Sequence, residues 1–280
     1  MEEKSNSLIS LNDFISGSCA GVVQVLVGQP FDMMKVRMQT NPKEYFNLFQ
    51  TFKKITVEET PLAFYKGTLS PLIGVSFTVA IQFSSNNLAR NFFILKNSKK
   101  KNPEKISLTQ NLLSGLFAGF TNSFVVSPIE LIRIKMQVQG NSAEKKYSGT
   151  IDCAKKIFKG DGIKGIYQGL NSTLLREITG MTLYFGVYES LMQTQVDRYG
   201  SKSQVPLIYP CIFGAISGSS FWIIGFPFDV IKSRIQADDY SNRKYKSIMS
   251  TSSMIYKTNG IAGFYKGIVP CLLRAPLGNS

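Results

Sequence analysis

The chain alternates between long runs of apolar and small residues and short polar stretches. Five runs stand out: Leu11 to Gln39, Ser70 to Phe93, Leu108 to Gln137, Asn171 to Met192 and Leu207 to Gln236. Each has the length of a membrane span, which takes about 20 predominantly apolar residues, or roughly 30 Å of helix. The pattern therefore predicts long helices. They carry too many polar groups to face lipid all round, so it also predicts a bundle whose inner faces line a water-filled cavity, where intramembrane charge is tolerated. A soluble helical solenoid is the competing reading, but solenoid units run about 20 to 50 residues, and the period here is longer.

That period is set by a motif that closes three of the runs. "PFDMMKVRMQ" begins at Pro30, "PIELIRIKMQ" at Pro128 and "PFDVIKSRIQ" at Pro227, at intervals of 98 and 99 residues. All three read proline, any residue, acid, two apolar residues, base, any residue, base, any residue, glutamine. Thirteen residues before each proline stands a pair of glycines four apart, in "GSCAG" (Gly17, Gly21), "GLFAG" (Gly115, Gly119) and "GAISG" (Gly214, Gly218). Small residues at that spacing share one helix face and allow close backbone approach. Downstream, "ETPLAFYKG", "DGIKGIYQG" and "NGIAGFYKG" end at Gly67, Gly169 and Gly267, and apolar runs follow. One repeat thus predicts a long helix bent at its proline, a loop with a short amphipathic helix, a glycine turn and a second long helix.

Proline removes a backbone donor and bends a helix, so Pro30, Pro128 and Pro227 predict three helix ends tilted toward a common axis. Acid and base three apart lie near each other on the inner face. Threefold symmetry then sets the acid of one repeat beside the base of the next. The expected result is a ring of ion pairs, with Asp32, Glu130 and Asp229 against Lys35, Arg133 and Lys232, able to close a passage and to open it.

Composition removes other classes. Across 280 residues there is no histidine, so His-based acid–base chemistry and a Ser-His triad are excluded. Cys19, Cys153, Cys211 and Cys271 have no C-x-x-C spacing, and neither a metal site nor a disulfide framework is expected. No nucleophile–base pair or cofactor motif is visible, so an enzyme is not expected. The net charge of +14 is compatible with an anionic membrane surface or ligand. No aromatic-interleaved basic patch of the kind that stacks bases appears, so nucleic acid is not an expected partner, and Lys99-Lys100-Lys101 reads as a solvated connection. The first twelve residues make neither a signal nor an Arg-rich transit peptide.

The threefold P-x-[DE]-x-x-[KR]-x-[KR]-x-Q motif, with its downstream glycine turns, resembles the mitochondrial carrier family over almost the whole chain. The resemblance implies an all-α membrane protein of three tandem repeats, at 1–100, 101–200 and 201–280. Each would give two transmembrane helices plus a short matrix helix in a pseudo-threefold six-helix barrel. It further implies a monomeric, multi-pass carrier of the mitochondrial inner membrane that moves a small-molecule substrate by alternating access, as antiport or uniport, without a cofactor. The ion-pair ring would be the matrix gate, braced by Gln39, Gln137 and Gln236. The turns at Gly67, Gly169 and Gly267 would bind cardiolipin.

The chain also departs from the family pattern. Thr60-Pro61 stands where glycine is usual, Asn259 replaces an acid and Gln168 a base. The cytosolic gate is degraded, with Asn87 in the acid place before Arg90 and Met192 in the base place after Glu189. The chain stops at Ser280, just inside the sixth helix, so the third repeat reads as truncated and the sixth helix as largely missing.

For the substrate, charges at membrane depth outside the gates are the pointers. "LLREITG" sets Arg176 and Glu177 midway along the fourth helix, and "LLRAPLG" sets Arg274 on the sixth. Base and acid side by side suit a zwitterion, with Gln82 and Thr78 contributing from the second helix. A structural pair bracing the fourth helix is the alternative. The Arg-Glu pair and "RAP" are similar to the branch carrying carnitine, acylcarnitines and amino acids. A nucleotide or keto-acid carrier, or a carrier-fold interaction protein that no longer transports, are the other readings.

Overall fold

The computed structural model describes residues 11–97, 106–139 and 146–279, with side chains between residues 22 and 273 of these. Gly17, Cys19, Gly21, Arg274 and Lys99-Lys100-Lys101 lie outside the residues so described. The described residues are helical, without a strand.

The long helices are α1 (Leu11–Thr40), α3 (Leu69–Lys96), α4 (Leu108–Val138), α6 (Leu170–Tyr199) and α7 (Ile208–Ala237), with the shorter α9 (Ile268–Asn279) in sixth place. Between the members of each pair lie α2 (Leu48–Lys54), α5 (Thr150–Ile166) and α8 (Ile248–Asn259). Local chemistry sets several boundaries. Ser107 opens α4 with a capping box, its hydroxyl accepting from the Gln110 amide while the Gln110 side chain accepts from the Ser107 amide. Ser247 and Ser250 do the same for α8. α1, α4 and α7 continue through Pro30, Pro128 and Pro227, because the remaining bonds of a long helix outlast one missing donor.

Around the barrel, α3 packs on α4, α4 on α6, α6 on α7, α7 on α9 and α9 on α1; α1, α4 and α7 also meet one another. The glycine pair of α4 explains its tightest seam. A Cβ on Gly115 would lie 2.6 Å from the Met181 carbonyl oxygen, and one on Gly119 2.5 Å from that of Glu177. Only glycine lets α6 come so near. Gly214 has nothing within 4 Å, so that part of the small-residue pattern is not a helix contact.

Apolar burial is concentrated at one end, where each short helix packs beneath its repeat. Met33, Met38, Tyr45, Ile55 and Phe64 form one cluster, Leu131, Met136, Tyr147, Cys153 and Ile157 a second, and Val230, Ile231, Ile235 and Ile255 a third. Two further clusters, Ala118 with Met181, Phe185 and Phe221, and Met192 with Val205 and Phe213, lie farther along α4, α6 and α7, and around them the usual distribution is inverted. Large apolar side chains such as Val23, Phe77, Phe117 and Ile223 are exposed, while Asn122, Arg176, Glu177 and Lys232 are buried. A protein surrounded by water does the opposite. Three segments, Pro61–Lys96, Leu108–Val138 and Ile208–Ala237, are long and apolar enough to cross a membrane; α1 and α6 carry more charge and fit as barrel members with a polar inner face.

The three glycine turns fold alike. Gly67, Gly169 and Gly267 have φ of +79°, +83° and +84°, a region that glycine enters without steric cost. Each abuts the next repeat's motif helix. A Cβ would meet the Arg133 carbonyl at 3.1 Å, the Gln236 side chain at 2.8 Å and the Lys35 carbonyl at 3.1 Å respectively. Seven residues earlier, Gly162 and Gly260 also take positive φ, and in the first repeat Thr60 takes their place at φ +93°, ψ 153°. It is the one non-glycine with positive φ among the described residues, in a region almost confined to glycine.

Candidate functional site

The motif charges pair between repeats. Asp32 on α1 accepts from Arg133 on α4, Glu130 on α4 from Lys232 on α7 at 2.6 Å, and Asp229 on α7 from Lys35 on α1 at 2.9 Å. Each repeat thus gives its acid to the following repeat's base. The groups are largely buried, and only about 50 Å³ of space remains among them. Desolvation of such pairs offsets much of their mutual attraction, so the ring can part without a large loss of stability. The Lys35 ammonium also sits 4.1 Å over the Trp222 ring, a favourable cation–π position.

The bracing glutamines divide. Gln39 donates to Asp229 Oδ2 at 2.9 Å and so joins the ring. Gln236 instead donates to the Ser127 carbonyl at 3.3 Å, and the amide of Gln137 is buried without a partner among the described residues. Neither hydrogen-bonds an ion pair of the ring, which corrects the expectation of three equivalent braces. Gln29, which sequence reasoning missed, takes such a part for the first pair. Its carbonyl accepts from Arg133 at 2.6 Å while its amide donates to the Lys66 carbonyl at 3.1 Å. Its position just before Pro30 was the available signal.

Gln168 is likewise inward-facing, donating to the carbonyls of Ile235 and Asp238 at 2.7 and 3.0 Å. Losing the usual base there leaves a link between repeats two and three.

Above the ring lies a cavity of about 330 Å³ lined by Thr78, Gln82, Arg176 and Glu177. The structure thus brings together four of the five residues expected to meet a substrate; Arg274 lies outside the described side chains. Asn122, Met181, Phe221 and Trp222 complete the wall, and Asp32, Glu130 and Arg133 of the ring contribute to it. A lone asparagine and tryptophan in apolar runs were the only sequence signals for Asn122 and Trp222.

Arg176 does not stand free in this cavity. Its guanidinium donates to Glu177, to Glu130 Oε2 at 2.8 Å and to Asp229 Oδ1 at 3.2 Å. Glu177 accepts in addition from Asn122 at 3.0 Å. The expectation of an arginine waiting for a carboxylate is corrected: in this conformation Arg176 bridges two acids of the ion-pair ring, because the ring sets both carboxylates within its reach. Glu177 and Asn122 then hold the arginine from the cavity side.

At the opposite end Arg90 on α3 pairs with Glu189 on α6 at 2.9 Å and donates to Asn111 at 3.0 Å. Asn87 is exposed and takes no part, correcting its placement in that gate; with an amide in the acid's place, Arg90 turns to the acid of the next repeat.

Residues 6–97, 104–199 and 203–280 match the family described as mitochondrial carrier protein. The chain is 40% identical over 277 residues to the glutamate/glycine mitochondrial carrier of Schizosaccharomyces pombe, covering 97% of this chain and 91% of that one. It is 39% identical to the mitochondrial glycine transporter of Saccharomyces cerevisiae, covering 96% and 87%. The mitochondrial basic amino acids transporter of Homo sapiens is 33% identical, covering 94% and 84%. With these matches spanning its length, and with three motif helices meeting in a ring of ion pairs, the chain belongs to the mitochondrial carrier family.

Proposed function

We propose that the protein is a multi-pass carrier of the mitochondrial inner membrane that moves a small amino acid, with Arg176 and Glu177 as the centre of recognition. The observation that carries this is the adjacent, buried base and acid on the wall of a cavity that ends on the ion-pair ring. A zwitterion presents one carboxylate and one ammonium, and a guanidinium binds a carboxylate through two parallel bonds. The relatives named above, carriers of glycine, glutamate and basic amino acids, support the amino-acid class; carnitine carries the same two charges and stays a secondary candidate.

Recognition and opening share Arg176. A substrate carboxylate that takes its guanidinium competes with Glu130 and Asp229, and the ammonium is left facing Glu177. Both gate acids then lose a donor, so binding weakens the ring on the matrix side. A ligand shifts such an equilibrium only by its differential affinity for the two states, and the exchange of partners at Arg176 supplies that difference. Gln39 and Gln29 brace the closed ring, Arg90 and Glu189 belong to the cytosolic gate, and Gly67, Gly169 and Gly267 offer turns that suit cardiolipin phosphates.

Uptake of labelled glycine, glutamate, arginine, carnitine and ADP into proteoliposomes holding the purified chain tests this reading. Saturable uptake of an amino acid is expected. Uptake of ADP alone favours a nucleotide carrier, and no uptake of any labelled solute favours an interaction protein.

A further inference from the structure

The second base of the motif has different fates in the first and third repeats. In the first, Arg37 pairs with Glu59 at 2.8 Å and donates to the Tyr45 hydroxyl at 3.1 Å. In the third, the corresponding base is Arg234, and the position corresponding to Glu59, eight residues before the turn glycine, is Asn259. Arg234 is 96% buried, its exposure being 4%. Its Nε donates to the Gln39 carbonyl at 2.9 Å, while its Nη2 has no hydrogen-bond partner among the described residues. A buried cation with an unused donor is costly.

Arg234 and Asn259 both line a cleft of about 400 Å³ between the end of α1 and α8, separate from the transport cavity. Lys43 and Lys244 stand on its rim, both exposed. The one acid there, Glu44, is held by Lys54 at 2.7 Å. Three bases therefore converge on a space from which the repeat's own carboxylate has been removed. The Asn259 amide adds a neutral donor at the same wall, while the hydroxyls of Thr40 and Thr258 donate to the carbonyls of Val36 and Met254 at 2.8 Å each.

We propose that this cleft is a second ligand site, taking a phosphate-bearing anion where the first repeat has Glu59. A multiply charged group suits it better than a single carboxylate, because one guanidinium and two ammonium groups remain to be neutralised. The phosphate belongs either to a soluble matrix compound or to a cardiolipin headgroup, two sources with the same chemistry. The volume holds more than a bare phosphate.

The test is thermal unfolding of the full chain in neutral detergent, titrated with pyrophosphate against chloride of equal ionic strength and, separately, with cardiolipin against phosphatidylcholine. Saturating ligand is expected to raise the wild-type midpoint by about 2 to 4 °C. Asn259→Asp supplies a carboxylate on the wall that Arg234 shares, so it is expected to raise the midpoint without ligand, to abolish the further shift with pyrophosphate and to reduce that with cardiolipin, which keeps its proposed binding at the glycine turns. Lys43→Gln with Lys244→Gln, both at exposed positions, is expected to raise the half-saturating concentration about tenfold through loss of charge-assisted bonds. A response to cardiolipin and not to pyrophosphate, smaller in Asn259→Asp than in wild type, assigns the phosphate to lipid. A shift of equal size in wild type and Asn259→Asp, or none with either probe, overturns the proposal.

Discussion

Arg176 on α6 reaches Asp229 on the neighbouring α7, Nη1 to Oδ1 at 3.2 Å, while its Nη2 bonds Glu130 and Glu177. One side chain therefore touches the second and third acids of the ring and the acid of the proposed recognition pair. Arg176→Lys keeps the charge but has a single nitrogen, which cannot hold three carboxylates in this geometry. It is expected to leave a folded protein with transport reduced at least tenfold, whereas Arg176→Ala leaves Glu177 buried against Asn122 alone and costs about 3 to 5 kcal/mol of stability. Unfolding midpoints and uptake rates of the two variants check this; equal stability losses would show that the forked guanidinium, bonding three separate carboxylates, is unimportant.

The Asp32–Arg133 pair gives a test of the gate itself. Reversing either charge sets like charges together in the ring, and both Asp32→Arg and Arg133→Asp are expected to transport poorly. The double reversal restores an opposite pair across the same two helices and is expected to recover part of the activity, with a coupling of about 0.5 to 3 kcal/mol. Effects that simply add in uptake and stability would remove the gate reading.

Much of this ring was legible in the sequence because its determinants are local and repeated. A proline, an acid and a base at fixed offsets, three times at one period, specify which helix faces meet whatever the tertiary detail. The partners that escaped notice depend on three-dimensional packing. Gln137 and Gln236 occupy the same motif position as Gln39, yet only Gln39 points at a gate acid. The bridging role of Arg176 arises from the closeness of α4, α6 and α7 and leaves no mark in "LLREITG". Asn87 and Asn86 differ by one residue, and rotation of α3 exposes the first and buries the second.

Thr60 occupies a backbone region suited to glycine, and Pro61 restricts it further. Such strain costs about 1 to 3 kcal/mol, while glycine costs about 0.5 to 1 kcal/mol in chain entropy. Thr60→Gly is therefore expected to stabilise the protein by about 1 kcal/mol, or roughly 2 to 3 °C. An unchanged or lower midpoint in thermal unfolding would show that the position is relaxed.

The α4–α6 seam predicts a contrast between two glycines of the same pattern. Gly119→Ala drives a methyl to 2.5 Å from the Glu177 carbonyl oxygen, and overpacking of this kind costs about 1 to 3 kcal/mol. It also displaces Glu177, so transport is expected to fall with stability. Gly214→Ala meets open space and gains helix propensity, so it should be neutral or slightly stabilising. Similar midpoints for the two variants would deny that the glycine pair of α4 exists to admit α6.

Recognition by the Arg176–Glu177 pair is tested most directly by the ligand profile of Glu177→Gln. The neutral amide keeps the shape and a bond to Asn122 but removes the charge that meets an ammonium. Substrate-induced thermal stabilisation of purified wild type and Glu177→Gln is measured across glycine, glutamate, arginine, carnitine, malate and ADP. Losing one charged partner costs about 2 to 5 kcal/mol, so the shift with zwitterionic and cationic ligands is expected to vanish while any shift with malate or ADP persists. A Glu177→Gln protein that keeps the wild-type profile for every ligand would contradict the assignment and place the substrate elsewhere in the cavity.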